Sequence, residues 1–428
     1  MNGPRIPLGR AWAIAQRVID AASDDDTRIT PVGSLRRFEA TVGDVSLLVA
    51  TPSATDLFDR LARADGLAVR HRTRNRCVLQ MGRDTATVHT TVPEVSGAAL
   101  LHHTGSRSHI AGLTRRAETR GIELGPTGLR GRQHGEALAS DSEARVYELL
   151  DLPFIAPELR QGHDELEAAE AGRLPTLVER RHIRGDLHMH SIWSDGHDSI
   201  AAMIETCVAL GYEYVAITDH SGSSRAAGGL TAELLQRQRR EIDELRGRFP
   251  AIAVLHGAEV DILPDGRLDY TDEVLAELDI VLASLHDAAG HDDLRLTERY
   301  LSAMRHPLVN IITHPTNRLI GHRAGYNLDF PRLFATAVET GTVLEIDGAP
   351  GHLDMDGMLA RRAVEAGVMV SIDSDCHRSL WLDRQMTFGL GTARRGWVEP
   401  HQVLNTRPLA GLREILAGKR TTGTHEMR

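Results

Sequence analysis

The 428-residue sequence predicts an α/β fold whose larger, C-terminal part is a closed or nearly closed barrel. Three observations carry this expectation. Short apolar, β-branched runs alternate with amphipathic helical patterns of a dozen or so residues, the order that builds a parallel sheet. About seven such units follow one another, enough to close a barrel. Nearly every strand-like run ends on a histidine or an acid, and in this architecture functional groups sit at the C-terminal ends of strands.

Strand-like runs fall near residues 186–190, 214–218, 252–255, 280–284, 309–313, 342–346 and 368–372. Helical patterns lie between them at 200–210, 231–248, 271–278, 296–305, 331–340 and 357–366. Ahead of them, between Pro153 and Arg184, the pattern breaks: Pro157, an acidic helical stretch from Asp164 to Ala171, and Pro175 carry no strand signal, so a domain boundary is expected there. No repeat of solenoid length and no low-complexity stretch occurs, and length alone suggests about two or three domains.

Composition is that of a soluble globular chain, 41% hydrophobic and 25% charged. No apolar run approaches the roughly 20 residues of a membrane span, so no membrane partner is expected. The segment from Met1 to Asp20 lacks the apolar block and cleavage site of a secretory signal, which makes the cytoplasm the expected location. Three separated cysteines, Cys77, Cys207 and Cys376, offer no disulfide framework and fit a reducing compartment. Lys419 is the sole lysine, which nearly excludes Schiff-base chemistry. The net charge of −10 does not advertise nucleic-acid binding, yet residues 60–132 hold 13 arginines against 5 acids, a basic segment able to hold a polyanion.

His188 and His190 close the first strand-like run, and Asp195 follows in the loop Ser194-Asp195-Gly196. His220 closes the second, Glu259 follows the third, His286 and His314 end the fourth and fifth, and Asp375 and His377 follow the last. Residues i and i+2 of an extended chain share a face, so His188 and His190 can share an ion, as can Asp375 and His377 if the chain stays extended there. Cys376, between them, is expected to face the core. Imidazole and carboxylate ligands without thiolate suit Zn, Mn or Fe alike. Nine ligands exceed the needs of one catalytic ion, so two or three divalent ions are expected, with Glu259 available to bridge and Glu259, His220 and Asp375 as catalytic residues. Closely spaced ions generate hydroxide near neutral pH and clamp a phosphoryl group, so the expected reaction is hydrolysis of a phosphate ester.

The stretches Asp186-Leu-His-Met-His-Ser-Ile-Trp-Ser-Asp-Gly196, Ile217-Thr-Asp-His220, Glu259, His286, His314-Pro315 and Asp375-Cys-His377 resemble, in order, the motifs of the PHP (polymerase and histidinol phosphatase) family. The resemblance runs from Arg184 to about Lys419 and implies a distorted seven-unit TIM-like β/α barrel with three metal ions. It implies that His188, His190, Glu259 and Asp375 hold one ion, Glu259, His286 and His314 a second, and Asp195, His220 and His377 a third. More narrowly, Arg318-Leu-Ile-Gly-His-Arg323, Gly391-Thr-Ala-Arg-Arg-Gly-Trp397 and Asn405-Thr406 resemble the C-terminal part of bacterial family X DNA polymerases. Gly33-Ser-Leu-Arg-Arg37 with Thr41-Val-Gly-Asp44 resembles their nucleotidyltransferase motif, and Ala98-Ala-Leu-Leu-His-His-Thr-Gly-Ser106 with His109 their thumb. The implied organisation is a smaller α+β part, palm-like over 1–95 and thumb-like over 96–155, then a linker over 156–183 and a PHP domain over 184–428.

The palm-like part departs from its family. Two-metal nucleotidyl transfer needs carboxylates at i and i+2 and a third on a neighbouring strand. Asp44 survives, but Ser46 stands at i+2 and the third position, counted back from Pro93-Glu94, falls on Thr87, while Asp84 should face the wrong side of its strand. A hydroxyl cannot replace a carboxylate's charge in holding Mg²⁺. The lyase and fingers modules are also expected to be missing, since palm-like sequence begins almost at Met1, and no polymerase activity is expected.

The degenerate palm is expected to act as a holder, with Gly33, Ser34 and Arg36 or Arg37 suited to a phosphate and the arginine-rich stretch to a strand. In the barrel, Ser221, Ser223 and Arg225 follow His220, and Arg318 and Arg323 follow His314; both loops should overhang the ions and grip phosphate. Trp193 either stacks on a base or packs in its loop. These features point to a 3'-5' exonuclease or phosphatase acting on DNA 3′ ends or nucleotides. The alternatives are a small-molecule phosphatase of the histidinol-phosphate type and a non-catalytic DNA-binding scaffold.

Overall fold

The computed structural model describes residues 5–22 and 29–426. The chain divides into two compact units, Met1–Pro175 and Thr176–Arg428.

In the first unit a five-stranded mixed sheet runs in the order Ile29–Pro31, Val45–Ala50, Asp84–Thr91, Arg76–Met81, Ala68–Arg72. Alternation sets its faces: along Arg76–Met81, Cys77, Leu79 and Met81 are buried, whereas Arg76 is exposed. Helices Leu8–Ala22 and Ala54–Arg63 pack on this sheet. Their buried residues recur at helical spacing, Leu8, Ala11, Ile14, Ala15 and Val18 in one and Leu57, Phe58 and Leu61 in the other. Helices Ser96–Thr104, Arg107–Thr119 and Glu143–Leu149 follow with a small antiparallel sheet of Ile122–Gly125, Gly128–Gly131 and Ala137–Leu138.

The second unit is a seven-stranded parallel sheet in sequence order: β1 (Gly185–Asp186), β2 (Tyr214–Ile217), β3 (Ala253–Asp261), β4 (Ile280–Ser284), β5 (Ile311–Ile312), β6 (Val343–Asp347) and β7 (Val370–Asp373). Beyond β1 and β7 the chain bridges Met189 to Cys376, and His190 N donates to Cys376 O at 2.9 Å, so the barrel is nearly closed. The helices between strands begin where a short polar side chain can satisfy a free amide. Ser199, Thr231, Asp292, Asp329 and Asp356 each accept the N–H three residues on. Gly341, at φ +67°, ends the helix Phe330–Thr340 in the left-handed conformation glycine adopts freely.

Residues at the strand starts, including Tyr214, Ile280, Ile311 and Val343, close inward on Leu412 and Leu416 of the terminal helix Leu409–Glu426. That plugs the N-terminal end of the barrel with apolar side chains and leaves the C-terminal end for polar ones. β1 and β5 are shorter than the sequence runs suggest because side chains take over backbone partners there. Leu187 N donates to Asp373, His188 N to Asp186, Met189 N to Thr218 Oγ1 and His314 N to Glu345. Lys419 is buried, with Nζ donating to Met304 O at 3.1 Å. Among the described residues no helix is long and apolar enough to cross a membrane.

Candidate metal centre

The nine ligand-type residues meet at the C-terminal rim of the barrel in three overlapping groups. In the first, His190 Nε2 lies 3.1 Å from both His188 Nε2 and Asp375 Oδ1, and Glu259 Oε2 lies 3.6 and 3.7 Å from the two ring nitrogens. In the second, Glu259 Oε1 is 2.9 Å from His314 Nε2 and 3.5 Å from His286 Nε2. In the third, Asp195 Oδ1 is 3.2 Å from His377 Nε2 and 3.5 Å from His220 Nε2. Nitrogen and oxygen ligands bound tetrahedrally to a zinc-type ion stand about 3.4 Å apart, so the groups have the spacing of coordination shells. Glu259 turns a different oxygen to the first and second groups, as a bridging carboxylate does. Its Oε2 is buried without a well-formed hydrogen bond, although His220 Nδ1 is 2.9 Å away. Such an atom costs about 1–3 kcal/mol unless something satisfies it, and a cation does.

Backbone geometry sets the partition. Asp375 is left-handed at φ +47° and His314 at φ +24°, conformations that cost non-glycine residues about 1–3 kcal/mol and concentrate at functional sites. The chain does not stay extended between Asp375 and His377, the condition for their sharing a face, although Asp375 Oδ1 remains 3.7 Å from His377 Nδ1. Asp375 swings toward His188 and His190, and His377 toward Asp195 and His220. Cys376 between them is buried in the outer core, and its Sγ donates to Arg378 O.

A second layer of acids aims the rings. His188 Nδ1 meets Glu345 Oε1 at 2.7 Å, the other oxygen of Glu345 accepts His314 N at 2.7 Å, and His286 Nδ1 meets Asp261 Oδ1 at 2.8 Å. The two ring contacts occupy Nδ1 of His188 and of His286 and turn their Nε2 atoms to the centre, while the third fixes the backbone of His314. Asp219, buried, accepts from Ser191 and Ser194 and so holds the loop that carries Asp195. Sequence reasoning did not find Glu345 or Asp261. The available signals were a lone acid inside the apolar run of β6 and an acid two residues after Glu259 on β3.

The groups are electrostatically coupled. Burial opposes charge on Glu259, yet His286, His220 and His188 hold its carboxyl well below the usual range. Asp195 and Asp375 are likewise held low, against burial, by neighbouring imidazoles. Burial, with His220 and His377 close by, pushes His190 down to about 3, which keeps that ring neutral and its lone pair free for an ion.

Several residues expected to read substrate are occupied elsewhere. Arg318 Nε donates to His352 O at 2.8 Å and the same guanidinium reaches Leu353 O. Arg323 is tied to Asn317 O at 2.9 Å and to its side chain at 2.6 Å. Ser221 is buried, its Oγ accepting Asp261 N at 3.0 Å, and Ser223 donates to Asp269. In the first unit Arg36 forks onto Glu143 at 2.8 and 2.9 Å, and buried Arg37 donates to Thr104 O at 2.7 Å, while Ser34 is half-buried on the short helix Gly33–Arg36. These arginines sit beside unpaired carbonyls and acids, which capture a guanidinium as readily as phosphate does. Trp193 packs in its loop, Nε1 donating to Glu241 at 2.7 Å. Arg225 differs: it is exposed and lines the cleft of about 460 Å³ above the three groups.

In the palm-like sheet Ser46 and Thr87 are register partners on adjacent parallel strands. Ser46 Oγ donates to Asp44 Oδ2 at 2.5 Å. Asp84 pairs with Arg10 at the hairpin end, an odd number of residues from Thr87 and therefore on the opposite face.

Residues 186–322 match the family description "PHP domain", and residues 99–161 match "DNA polymerase beta thumb". The chain is 38% identical over 418 residues to the DNA polymerase/3'-5' exonuclease PolX of Bacillus subtilis (strain 168), covering 96% of this chain and 73% of that protein. A probable phosphatase of Thermoanaerobacter sp. (strain X514) is 29% identical over 247 residues, 55% of this chain and 95% of the relative. A probable phosphatase of Syntrophotalea carbinolica is 30% identical over 234 residues, 51% of this chain and 90% of the relative.

Proposed function

We propose that this chain, which belongs to the family of the bacterial DNA polymerase/3'-5' exonuclease PolX, uses a three-ion site on its barrel rim to hydrolyse phosphate esters at the 3′ ends of DNA. It is a hydrolase acting on phosphoester bonds. The observation that carries the reading of more than one ion is Glu259, whose two oxygens face the first and second ligand groups and one of which is buried without a well-formed hydrogen bond. The separate gathering of His220 and His377 on Asp195 adds a third.

Divalent ions of the Mn, Zn or Fe class held there would supply hydroxide near neutral pH and neutralise charge on the phosphoryl oxygens. The chain's own residues do the rest. Glu259 joins the first two groups, and Glu345 and Asp261 keep His188 and His286 from rotating away. Arg225 at the mouth offers a planar fork to the phosphate oxygens. A cleft of about 460 Å³ suits one nucleotide or one phosphate monoester and not a duplex, so a strand must enter by its end. The exposed arginines Arg70, Arg74, Arg76 and Arg83 of the first unit suit a phosphate backbone. Nucleotidyl transfer is lost in this reading, because Asp44 has only the hydroxyls of Ser46 and Thr87 for company.

A 5′-labelled primer incubated with protein reconstituted with Mn²⁺, Zn²⁺ or Fe²⁺ tests the proposal. Shortening or end dephosphorylation is expected with at least one ion, and an unchanged primer with all three would sink the DNA reading. A small-molecule phosphatase is the second reading, favoured by the one-phosphate size of the cleft. It predicts turnover of a sugar or amino-alcohol monophosphate that is indifferent to neutralising the arginines of residues 60–132.

A further inference from the structure

The barrel rim carries one more set of ligand-type residues, of which only Asp375 also belongs to the three groups above. Asp347 ends β6, His352 follows in the next loop, and Asp375 follows β7; one ligand atom from each lies within 4.8 Å of the other two. Asp347 is fully buried. Its Oδ1 accepts Ala349 N at 2.5 Å, while its Oδ2 meets no hydrogen-bond donor. His352 Nδ1 is also buried and without a hydrogen bond, and the ring stacks on that of His314 with centroids 5.1 Å apart. His352 lines the cleft as well.

The loop bearing His352 is held in place. Arg318 fastens the carbonyls of His352 and Leu353, and Asp354 accepts Thr316 N and Oγ1, both at 2.9 Å. Arg318, expected to hold phosphate, is thus a positioning residue for a histidine over the centre. Two buried carboxylates side by side are unfavourable unless a proton or a metal cation joins them, and burial beside Asp375 and Glu345 raises the Asp347 carboxyl well above the usual range, so an ion binding here displaces a proton. The first group already takes Asp375 at one edge, so a carboxylate bridge there would repeat the part Glu259 plays between the first and second groups.

We propose that Asp347, His352 and Asp375 form a fourth cation site, contiguous with the three-ion centre through Asp375, for a divalent first-row ion of the Mn²⁺ or Zn²⁺ class. Two carboxylates and one imidazole are donors suited to such ions. The proposal rests on the three-ion reading only through the shared Asp375.

The test strips full-length protein with a chelator, reloads it with Mn²⁺, and counts bound metal, alongside anomalous diffraction from Mn²⁺-loaded crystals. About four ions per chain are expected in the wild type and about three in Asp347→Asn and in His352→Gln, with an anomalous peak among the three side chains that the variants lose. Asp347→Asn keeps an oxygen for Ala349 N, and metal-free melting curves check that each variant folds. Should one variant fail to fold, the other and the wild-type map still decide. About three ions with no peak at these residues would overturn the fourth site and leave the three-ion centre standing. No bound ion anywhere on the rim would overturn both.

Discussion

In the sheet of the first unit Ser46 donates to Asp44, which is exposed to solvent, and Thr87 stands in register beside Ser46. At the barrel rim imidazoles and carboxylates crowd to between 2.9 and 3.7 Å, and buried Glu259 Oε2 still lacks a well-formed hydrogen bond. Both clusters lie on strands or just beyond them, yet only the second gathers three or more ligand-type atoms within 4.8 Å of one another among the described residues. An exposed carboxylate is satisfied by a hydroxyl and by solvent, whereas a buried carboxylate among imidazoles needs protons or metal cations to offset its charge. In the function proposed above, this difference separates a cluster without an ion from one that holds ions.

The comparison can be broken most forcefully by removing one ligand from each cluster. His190→Ala should abolish metal retention in the first group and lower phosphoester hydrolysis by about 10³-fold or more, whereas Asp44→Asn should leave both unchanged. Metal analysis with initial rates on a labelled DNA end reads this, and equal losses in the two variants would erase the distinction.

Proton competition gives the next largest effect. In the metal-free protein burial resists charge on His220, His286 and His377, but the carboxylates of Glu259, Asp261 and Asp195 raise them to about 10, 9 and 9. A ligating ring must be neutral, so ion uptake expels these protons and affinity climbs with pH up to that range. The slope should be about tenfold per pH unit for each proton released. Calorimetry in buffers of different ionisation enthalpy measures the count, and a flat profile from about pH 6 to 9 would contradict the assignment of these rings.

Glu345→Gln keeps the shape of the acid behind His188 and His314 and removes its charge. Metal affinity or activity should fall by about 10–100-fold, read by chelator competition. An unchanged affinity would mean that the second layer does not aim the rings. The smallest effect comes from rebuilding the retired cluster. Ser46→Asp with Thr87→Asp should lower the melting temperature through like-charge repulsion, by about 2–4 °C for each kcal/mol lost, and Mg²⁺ should restore it. A melting curve indifferent to Mg²⁺ would show that more than two carboxylates separates this palm from an ion site.

The seven strand-like runs reappear as β1–β7 because a strand buried on both faces must be apolar along its length, and that signal is local. Most of the ligand-type residues stand within a few residues of the end of such a run, although Glu259 lies inside β3 rather than after it and Asp195 sits in the loop beyond β1. What sequence could not carry were partners fixed by tertiary distance. Glu345 meets His188 across 157 positions, and nothing near either residue announces the contact. Arg318 and Arg323 follow His314 as phosphate-gripping residues would, but loop carbonyls claim them first. The separation of Asp375 from His377 depended on one left-handed residue that is not glycine, a conformation no propensity predicts.

The most direct test follows hydrolysis of a 5′-labelled DNA strand by chelator-treated protein before and after Mn²⁺ is returned, in wild type, Glu259→Gln and Asp44→Asn side by side. The account predicts that Mn²⁺ restores 3′-end hydrolysis to the wild type and to Asp44→Asn and restores none to Glu259→Gln. Hydrolysis that survives in Glu259→Gln, or disappears in Asp44→Asn, would contradict a barrel rim that alone performs the chemistry.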